Sequence, residues 1–473
     1  MTTVSRVAVC GAGAMGSGIA LIAAQSGATV RLFDLSADAL AAARARTGKA
    51  LDGLVAKGRL EATDAAAILG RIICTEDLAT LADSELVIEA IVENAAIKAE
   101  LFTRLEAIVG REAVLASNTS SLPIAGLAKP LAQPERFVGM HFFNPPAAMK
   151  LVEIVSGPAT DAAASDTVTN AAKAWGKVAV PVADVPGFIV NRVARPFYAE
   201  AFTALQEQAA SAGAIDAAVR AAGFRMGPLE LTDFIGQDVN FTVARSVHDA
   251  YFGRTRFVPQ RAQAALVDAG WYGRKTGRGI YDYSEGAPVP ASIDAEPRPA
   301  PDGRGRAEAE ALLRSAPGDL LAVGGASLGI TAGRTASALA TETGRPVALI
   351  DWTLAENEGP IIFAASDGAA AEVAIDLAGA LGRAAIRIAD RPGLIVCRTL
   401  AQIANAAADA VFEHVAGEED IDAAMRFGAN YPVGPFAWAD LYGRGRVRAA
   451  LAAIADETGE AMYRPSQYMR NWM

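Results

Sequence analysis

The chain has 473 residues, too many for one hydrophobic core and enough for about three domains of roughly 100–200 residues each. Its formal net charge of −10 leaves no basic face for phosphate neutralisation, which excludes a general nucleic-acid binder and requires any anionic ligand to be met by local chemistry. With 52% apolar and 20% charged residues, and nowhere eighteen apolar residues in a row, it reads as a globular chain that does not span a membrane.

From Arg6 onward, short β-branched runs alternate with Ala-rich helical stretches: "RVAVC", helix, "TVRLFD", helix, "LVIEAIV", helix, "AVLASN", then "RFVGMHFF", "KLVEIV" and "KVAVPV". Such alternation predicts a parallel sheet covered on both faces, an α/β Rossmann-type domain over 1–185. Strand signals then stop, and 186–284 reads as an all-α helical domain ending in "GRKTGRGIYDY". Residues 285–306, with Pro288, Pro290, Pro297, Pro299 and Pro301, have linker composition. Alternation resumes over 307–390 as a degenerate partial α/β segment, and 391–473 reads as a second, truncated copy of the helical domain.

The duplication rests on three anchors. "AWGKVAVPVADVPGFIV" matches "ALGRAAIRIADRPGLIV" without a gap, so that Asp184 repeats as Asp390, 206 positions later, and Asn191 as Cys397. "GPLELTDFIG" matches "GPFAWADLYG" within one residue, and "FVPQ" matches "YRPS". Upstream in the second half, "LLAVGGASLG" and "PVALIDW" read as the remains of a strand, turn, helix and strand unit. The glycine spacing there is lost, although Asp351 still ends the following strand. A structural remnant is the expected reading, rather than a second nucleotide site.

Cys10, Cys74 and Cys397 are scattered, without the spacing of a zinc site or a disulfide framework. No metal is expected, and a reducing cytoplasm is favoured. The N-terminus runs directly into a strand, without the pattern of a secretory signal.

Chemistry begins at "VAVCGAGAMGSGIA", where Gly11, Gly13 and Gly16 follow an apolar strand in G-x-G-x-x-G spacing and open a helix. Gly11 allows the tight turn, Gly13 the close approach of a pyrophosphate, and Gly16 the packing of helix on strand. The helix N-terminus offers amide donors and positive dipole, so an acidic chain can hold a dinucleotide here. The next strand ends in Asp34, where a carboxylate can accept from a ribose 2′-hydroxyl. Leu35 and Ser36 follow with no arginine for a 2′-phosphate, which favours NAD over NADP.

There are only three histidines. His248 and His414 lie in helical patterns where solvated or capping roles are expected. His141 ends a strand and starts the loop "HFFNPP", at the edge where open α/β sheets bind ligands. Twelve residues on, "KLVEIV" puts Glu153 on one face with Leu151 and Val155, a costly place for an unpaired carboxylate. Glu153 either pairs with a Lys or Arg, or accepts from the His141 ring and fixes its tautomer for proton abstraction. "ASNTSSLPI" could bring hydroxyls and an amide to the same crevice, or be a turn with a capping serine.

Taken together, "GAGAMGSGIA", "VIEAIVEN", "SNTSSLPI", "HFFNPPAAMKLVEIV" and "PGFIVNR" closely resemble the L-3-hydroxyacyl-CoA dehydrogenases of fatty-acid β-oxidation, over Arg6 to Tyr283. The duplicated layout, with "VARPFYAEAF" and "GPLELTDFIGQDVNF", resembles the branch acting on 3-hydroxyadipyl-CoA in phenylacetate breakdown. With no hydratase domain ahead of the nucleotide fold in this sequence, a multifunctional β-oxidation chain is not expected. The resemblance implies NAD-dependent oxidation of an L-3-hydroxyacyl-CoA of the 3-hydroxyadipyl or 3-hydroxybutyryl type, or the reverse, in which His141 removes the 3-hydroxyl proton and Glu153 orients His141. It further implies that Ser120 and Asn191 bond the reacting oxygen and help hold the thioester, and that Gly11, Ala12, Gly13, Ala14, Met15 and Gly16 line the pyrophosphate. By the same resemblance Asp34 meets the ribose, Glu93, Lys98 and Asn118 lie near the cofactor, and Lys57 lies near coenzyme A, although Ala50 stands where relatives can carry a serine. A solvated helix face is the alternative for Lys57. Single-copy relatives pair through their helical domains, so a homodimer or an internal pseudo-dimer is expected. The rival readings are a gulonate-type or other β-hydroxyacid dehydrogenase, and a catalytically silent binding protein on the same fold.

Overall fold

The computed structural model describes residues 4–287, 306–353 and 359–473. The five prolines of the expected linker lie outside them. The first sheet consists of β1 (Arg6–Cys10), β2 (Thr29–Phe33), β3 (Ile72–Thr75), β4 (Leu86–Glu89), β5 (Val114–Ser117), β6 (Phe137–Phe142), β7 (Leu151–Ser156) and β8 (Val178–Ala183). Their order is β3-β2-β1-β4-β5-β6-β7-β8, parallel as far as β6; β7 then runs antiparallel to β6, and β8 parallel to β7. The sequence pattern gave no warning of β3, an edge strand with only Ile72 fully buried. Interior strands such as β4 and β5 are buried at every residue, as a sheet covered on both faces requires. Val7, Val9, Ile19, Val30, Ile88, Val138 and Ile154 belong to the core beneath the helices.

The second sheet, β9 (Leu320–Val323), β10 (Ala326–Ile330), β11 (Val347–Ile350), β12 (Ile361–Ala365) and β13 (Ala385–Arg387), has the order β13-β12-β11-β10-β9. A strand, turn, helix and strand unit is present as β10, the helix Ala336–Thr343 and the parallel β11, but its turn is not the Gly-Gly stretch. Val323 pairs with Ala326 across a two-residue Gly324-Gly325 turn, so "LLAVGGASLG" is an antiparallel hairpin. A Gly-Gly pair permits the positive φ of such a turn, and Gly324 has φ +56°. From β10 to β13 the pairing runs parallel, antiparallel, parallel, as it does from β5 to β8. The second half therefore keeps the end of the nucleotide-type sheet and lacks its beginning, and β11 corresponds to β6 rather than to β2.

The repeated phrase has a structural purpose. Asp184 accepts from the amides of Ile124 and Ala125, and Asp390 from those of Ala336 and Ser337, so each aspartate caps the start of a helix. The chain divides into two compact units, 1–190 with 414–429, and 191–413 with 430–473. Within the first, the helix Glu418–Gly428 packs on β7 and β8, and the Ala183 amide donates to the Val415 carbonyl at 3.0 Å. Within the second, the Ala389 amide donates to Ala209 at 2.9 Å, the same bond displaced by 206 residues in opposite directions. There too the helices Arg195–Gln206 and Val396–Phe412 pack together, with Arg192 pairing to Glu413 and Arg398 to Glu207. Such exchange of i with j and j with i marks a self-complementary interface, here written within one chain.

Candidate active site

At the glycine turn Gly11 has φ +106°, and a Cβ there would stand 2.5 Å from the Ala90 carbonyl oxygen. A Cβ on Gly16 would meet the Gly11 oxygen at 1.8 Å, so helix and strand touch backbone to backbone. Gly13 faces open space and begins the helix Ala14–Gln25 without a side-chain cap, which leaves that helix's first amides to an anion. A cleft of about 530 Å³ runs from Gly11 and Gly13 past Asp34, Leu35, Ala90 and Val92. Asp34 accepts from the Ala12 amide at 2.8 Å and the Ser36 amide at 3.0 Å, which fixes the carboxylate at the cleft wall. Uncapped amides and a wall carboxylate fit a dinucleotide. Ala12 is buried, while Ala14 and Met15 lie beside the turn at the helix start.

Beyond β4 the structure assembles a network that the sequence only partly signalled. The Lys98 ammonium is buried between Glu89 at 2.7 Å and Glu93 at 2.9 Å. Ser117 donates to Glu89, and Glu93 accepts from the Thr119 hydroxyl and the Ser120 amide. Burial by itself would raise the Glu93 carboxyl; Thr119, Lys98 and the Ser120 amide outweigh it and hold the group below the usual carboxylate range. This network sets the "SNTSS" loop, with Ser120 half-buried and Asn118 turned toward β6, where its Oδ1 accepts from the Phe142 amide at 2.8 Å. Glu89, Ser117 and Thr119 escaped sequence reasoning. The signal for Glu89 was akin to the one that found Glu153, a carboxylate in an apolar strand, at the end of β4 for Glu89 and inside β7 for Glu153.

His141 and Glu153 stand opposite each other in the β6–β7 ladder. Their Nδ1 and Oε2 are 2.7 Å apart, and Glu153 is wholly buried. The other oxygen, Oε1, accepts from the amides of Ile189 and Val190 at 3.0 Å each. Among the described residues no Lys or Arg pairs with Glu153, so the histidine reading holds over the salt-bridge one. A carboxylate only accepts, so in the neutral ring Nδ1 carries the proton and Nε2 keeps a lone pair available as a base. The Phe143 and Phe188 rings lie 4.5 Å and 5.7 Å from the imidazole and restrict water around it.

Asn191 follows Val190 in the short helix Val190–Val193 and is half-buried. Lys57 is exposed at the end of the helix Ala37–Ala56, as is Ala50 within it. His248 lies beside Asp249, and His414 is exposed with φ +55°; neither joins a site. Among the described residues no three His, Cys, Asp or Glu gather as metal ligands, and no helix is long and apolar enough to cross a membrane.

Comparison with known families gives the same layout. The 3-hydroxyacyl-CoA dehydrogenase NAD-binding domain matches residues 6–185, and the C-terminal domain of that family matches twice, at 187–283 and 393–473. The chain belongs to the 3-hydroxyacyl-CoA dehydrogenase family. A reduced Rossmann-fold domain of 3-hydroxybutyryl-CoA dehydrogenase matches 328–392, in keeping with the half-sheet β10 to β13. A 3-hydroxyadipyl-CoA dehydrogenase of Escherichia coli is 41% identical over 99% of this chain and 98% of its own length. A probable 3-hydroxybutyryl-CoA dehydrogenase of Bacillus subtilis is 41% identical over 60% of this chain and 98% of its own. Among solved structures, a 3-hydroxybutyryl-CoA dehydrogenase from Escherichia coli K12 superposes with a TM-score of 0.92, at 41% identity, over 99% of this chain and 98% of its own. As a member of this family the chain is an NAD-dependent oxidoreductase.

Proposed function

We propose that this dehydrogenase oxidises the 3-hydroxyl of an acyl-CoA thioester with His141 as the base, and that its substrate is a six-carbon chain ending in a carboxylate, of the 3-hydroxyadipyl type. The observation that carries the base assignment is the His141–Glu153 pair at 2.7 Å, with Glu153 anchored by two backbone amides. His141 Nε2 takes the hydroxyl proton, and the imidazolium so formed is stabilised by the buried carboxylate. Ser120 and Asn191 donate to the reacting oxygen and hold it in line with Nε2. The turn from Gly11 to Gly16 and Asp34 would hold NAD, which would supply the acceptor for the hydride lost from C3. Glu93, Lys98 and Asn118 keep the loop beside the cofactor rigid, and Lys57 meets the phosphates of coenzyme A.

The substrate choice is supported by a relative named for 3-hydroxyadipyl-CoA that matches the chain along its whole length, tail included. A whole-length structural relative carries the 3-hydroxybutyryl name, so chain length is the quantity to measure. The second helical copy takes the place of a partner subunit, which the reciprocal bonds support. Three free cysteines suit a reducing cytoplasm.

With 3-hydroxyadipyl-CoA and NAD, NADH should form at a rate that His141→Ala lowers by about 10³-fold or more. Wild-type-like turnover in that variant would remove His141 from its role.

A further inference from the structure

Among the described residues, Arg195 in the helical region is a buried charge without a carboxylate partner. It lies at the start of the helix Arg195–Gln206 and is 7% exposed. Its contacts are a long 3.5 Å bond from Nη1 to the Asn240 carbonyl and the Tyr198 ring, 5.1 Å from the guanidinium carbon. Its Nε bonds to nothing, and the buried Tyr431 hydroxyl nearby is also without a partner. Burial pulls the guanidinium below its ordinary value, with Tyr198 and Tyr431 opposing that shift. The neighbouring arginines differ: Arg192 pairs with Glu413 at 2.7 Å and Arg398 with Glu200 at 2.8 Å. An uncompensated buried charge costs several kcal/mol, so Arg195 does not serve stability as the others do.

The second copy keeps one of the two arginines Arg192 and Arg195 and replaces the other. Displaced by 206 residues, Arg192 is retained as Arg398, Asn191 becomes Cys397, Arg195 becomes Ala401 and Tyr198 becomes Ala404. From 191 to 200 only Arg192 repeats unchanged; among the positions that differ, Asn191, Arg195 and Tyr198 are spaced four and three apart, which places those three on one helical face. The half without a glycine turn keeps the arginine that forms ion pairs and loses the one that does not.

We infer that Arg195, assisted by the Tyr431 hydroxyl, binds a carboxylate at the far end of the acyl chain and so selects ω-carboxylated 3-hydroxyacyl-CoAs. This rests on the role proposed above for Asn191 at the reacting oxygen. Arg195 lies four residues on, about 6 Å along a helical run, and in an adipyl chain three carbon–carbon bonds separate C3 from the terminal carboxyl carbon. A guanidinium with free N–H groups can grip that carboxylate at two points, and the incoming charge supplies the partner that the fold withholds.

The test compares kcat/KM for 3-hydroxyadipyl-CoA and 3-hydroxyhexanoyl-CoA, equal in length and differing in the terminal carboxylate. Wild type should prefer the first, and Arg195→Met should lower the ratio about 100-fold, mainly through KM, as expected when one partner of a buried charge pair is removed. Arg195→Lys should fall between, and adipyl-CoA should inhibit wild type far more tightly than the Met variant. If Arg195→Met does not fold, Tyr431→Phe should still lower the ratio several-fold. A wild-type preference that survives both substitutions overturns the assignment of Arg195 while the dicarboxylic substrate stands. A wild type without preference overturns both, and one that oxidises neither thioester overturns the proposed function itself.

Discussion

In the first sheet His141 on β6 faces Glu153 on β7; in the second, Asp351 just past β11 faces Ile362 on β12, its amide donating to the Ile362 carbonyl at 2.9 Å. Glu153 pairs with Val180, and Ile362 with Ile386, 206 residues beyond Val180, so the two ladders are in register. Asp351 thus occupies the histidine's place and Ile362 the glutamate's. Even so, one task is common to both halves. Glu153 accepts from the amides of Ile189 and Val190, and Asp351 from those of Ile395 and Val396, the same residues one repeat later, as well as from Cys397 and Trp352. A carboxylate is needed at the start of each helix, where orphaned amides would otherwise be buried. In the first half the carboxylate also has a free oxygen for an imidazole. In the second it crosses to the neighbouring strand, and all four of its bonds go to the backbone. Burial pushes the Asp351 carboxyl up to about 6, and the four amides oppose that shift.

The comparison breaks most severely if the second half is removed. Truncation after residue 287 takes away the helix Glu418–Gly428, which belongs to the first unit and buries Ile421, Ala424 and Met425. Each of the two large side chains contributes about 1.5–3 kcal/mol of burial, and Leu151 and Val190, which Gly428 approaches, would lose their cover. The truncated chain should yield no active monomer by size-exclusion and NADH assay; a monomer at full rate would make the second copy dispensable to the first.

A smaller perturbation sharpens the contrast by making the same kind of change in each half. Glu153→Gln keeps an oxygen for the two amides but turns an N–H toward His141 Nδ1, which moves the ring proton to Nε2. Turnover should drop by roughly 10³–10⁴-fold with the unfolding midpoint little changed. Asp351→Asn puts an N–H against backbone donors and should cost on the order of 1–3 kcal/mol in denaturant unfolding, with the rate per folded molecule unaltered. A loss of turnover in the Asn variant comparable to that of the Gln variant would mean that the second half takes part in catalysis.

Much of the site was legible because its residues break local rules. A carboxylate in "KLVEIV", glycines at fixed spacing and a histidine at a strand end are each costly or conspicuous without a purpose. The sheet alternation and the 206-residue repeat were equally plain, since periodicity and register survive in one dimension. The identity of the second sheet was not. "VGGASLG" after a strand suits a worn phosphate turn as well as a hairpin, and only the strand order shows that Asp351 stands for His141 rather than for Asp34.

The amino-acid sequence by itself determined the nucleotide turn, the histidine and its glutamate, and the doubling of the helical copy, because each depends on residue type at short spacing. Tertiary structure alone decided which oxygen of Glu153 faces the ring, that Lys98 is enclosed by two carboxylates, and that a helix written near residue 420 completes the unit formed by the first 190 residues. Those outcomes depend on which chain segments meet, and spacing along a chain does not report distance across a fold.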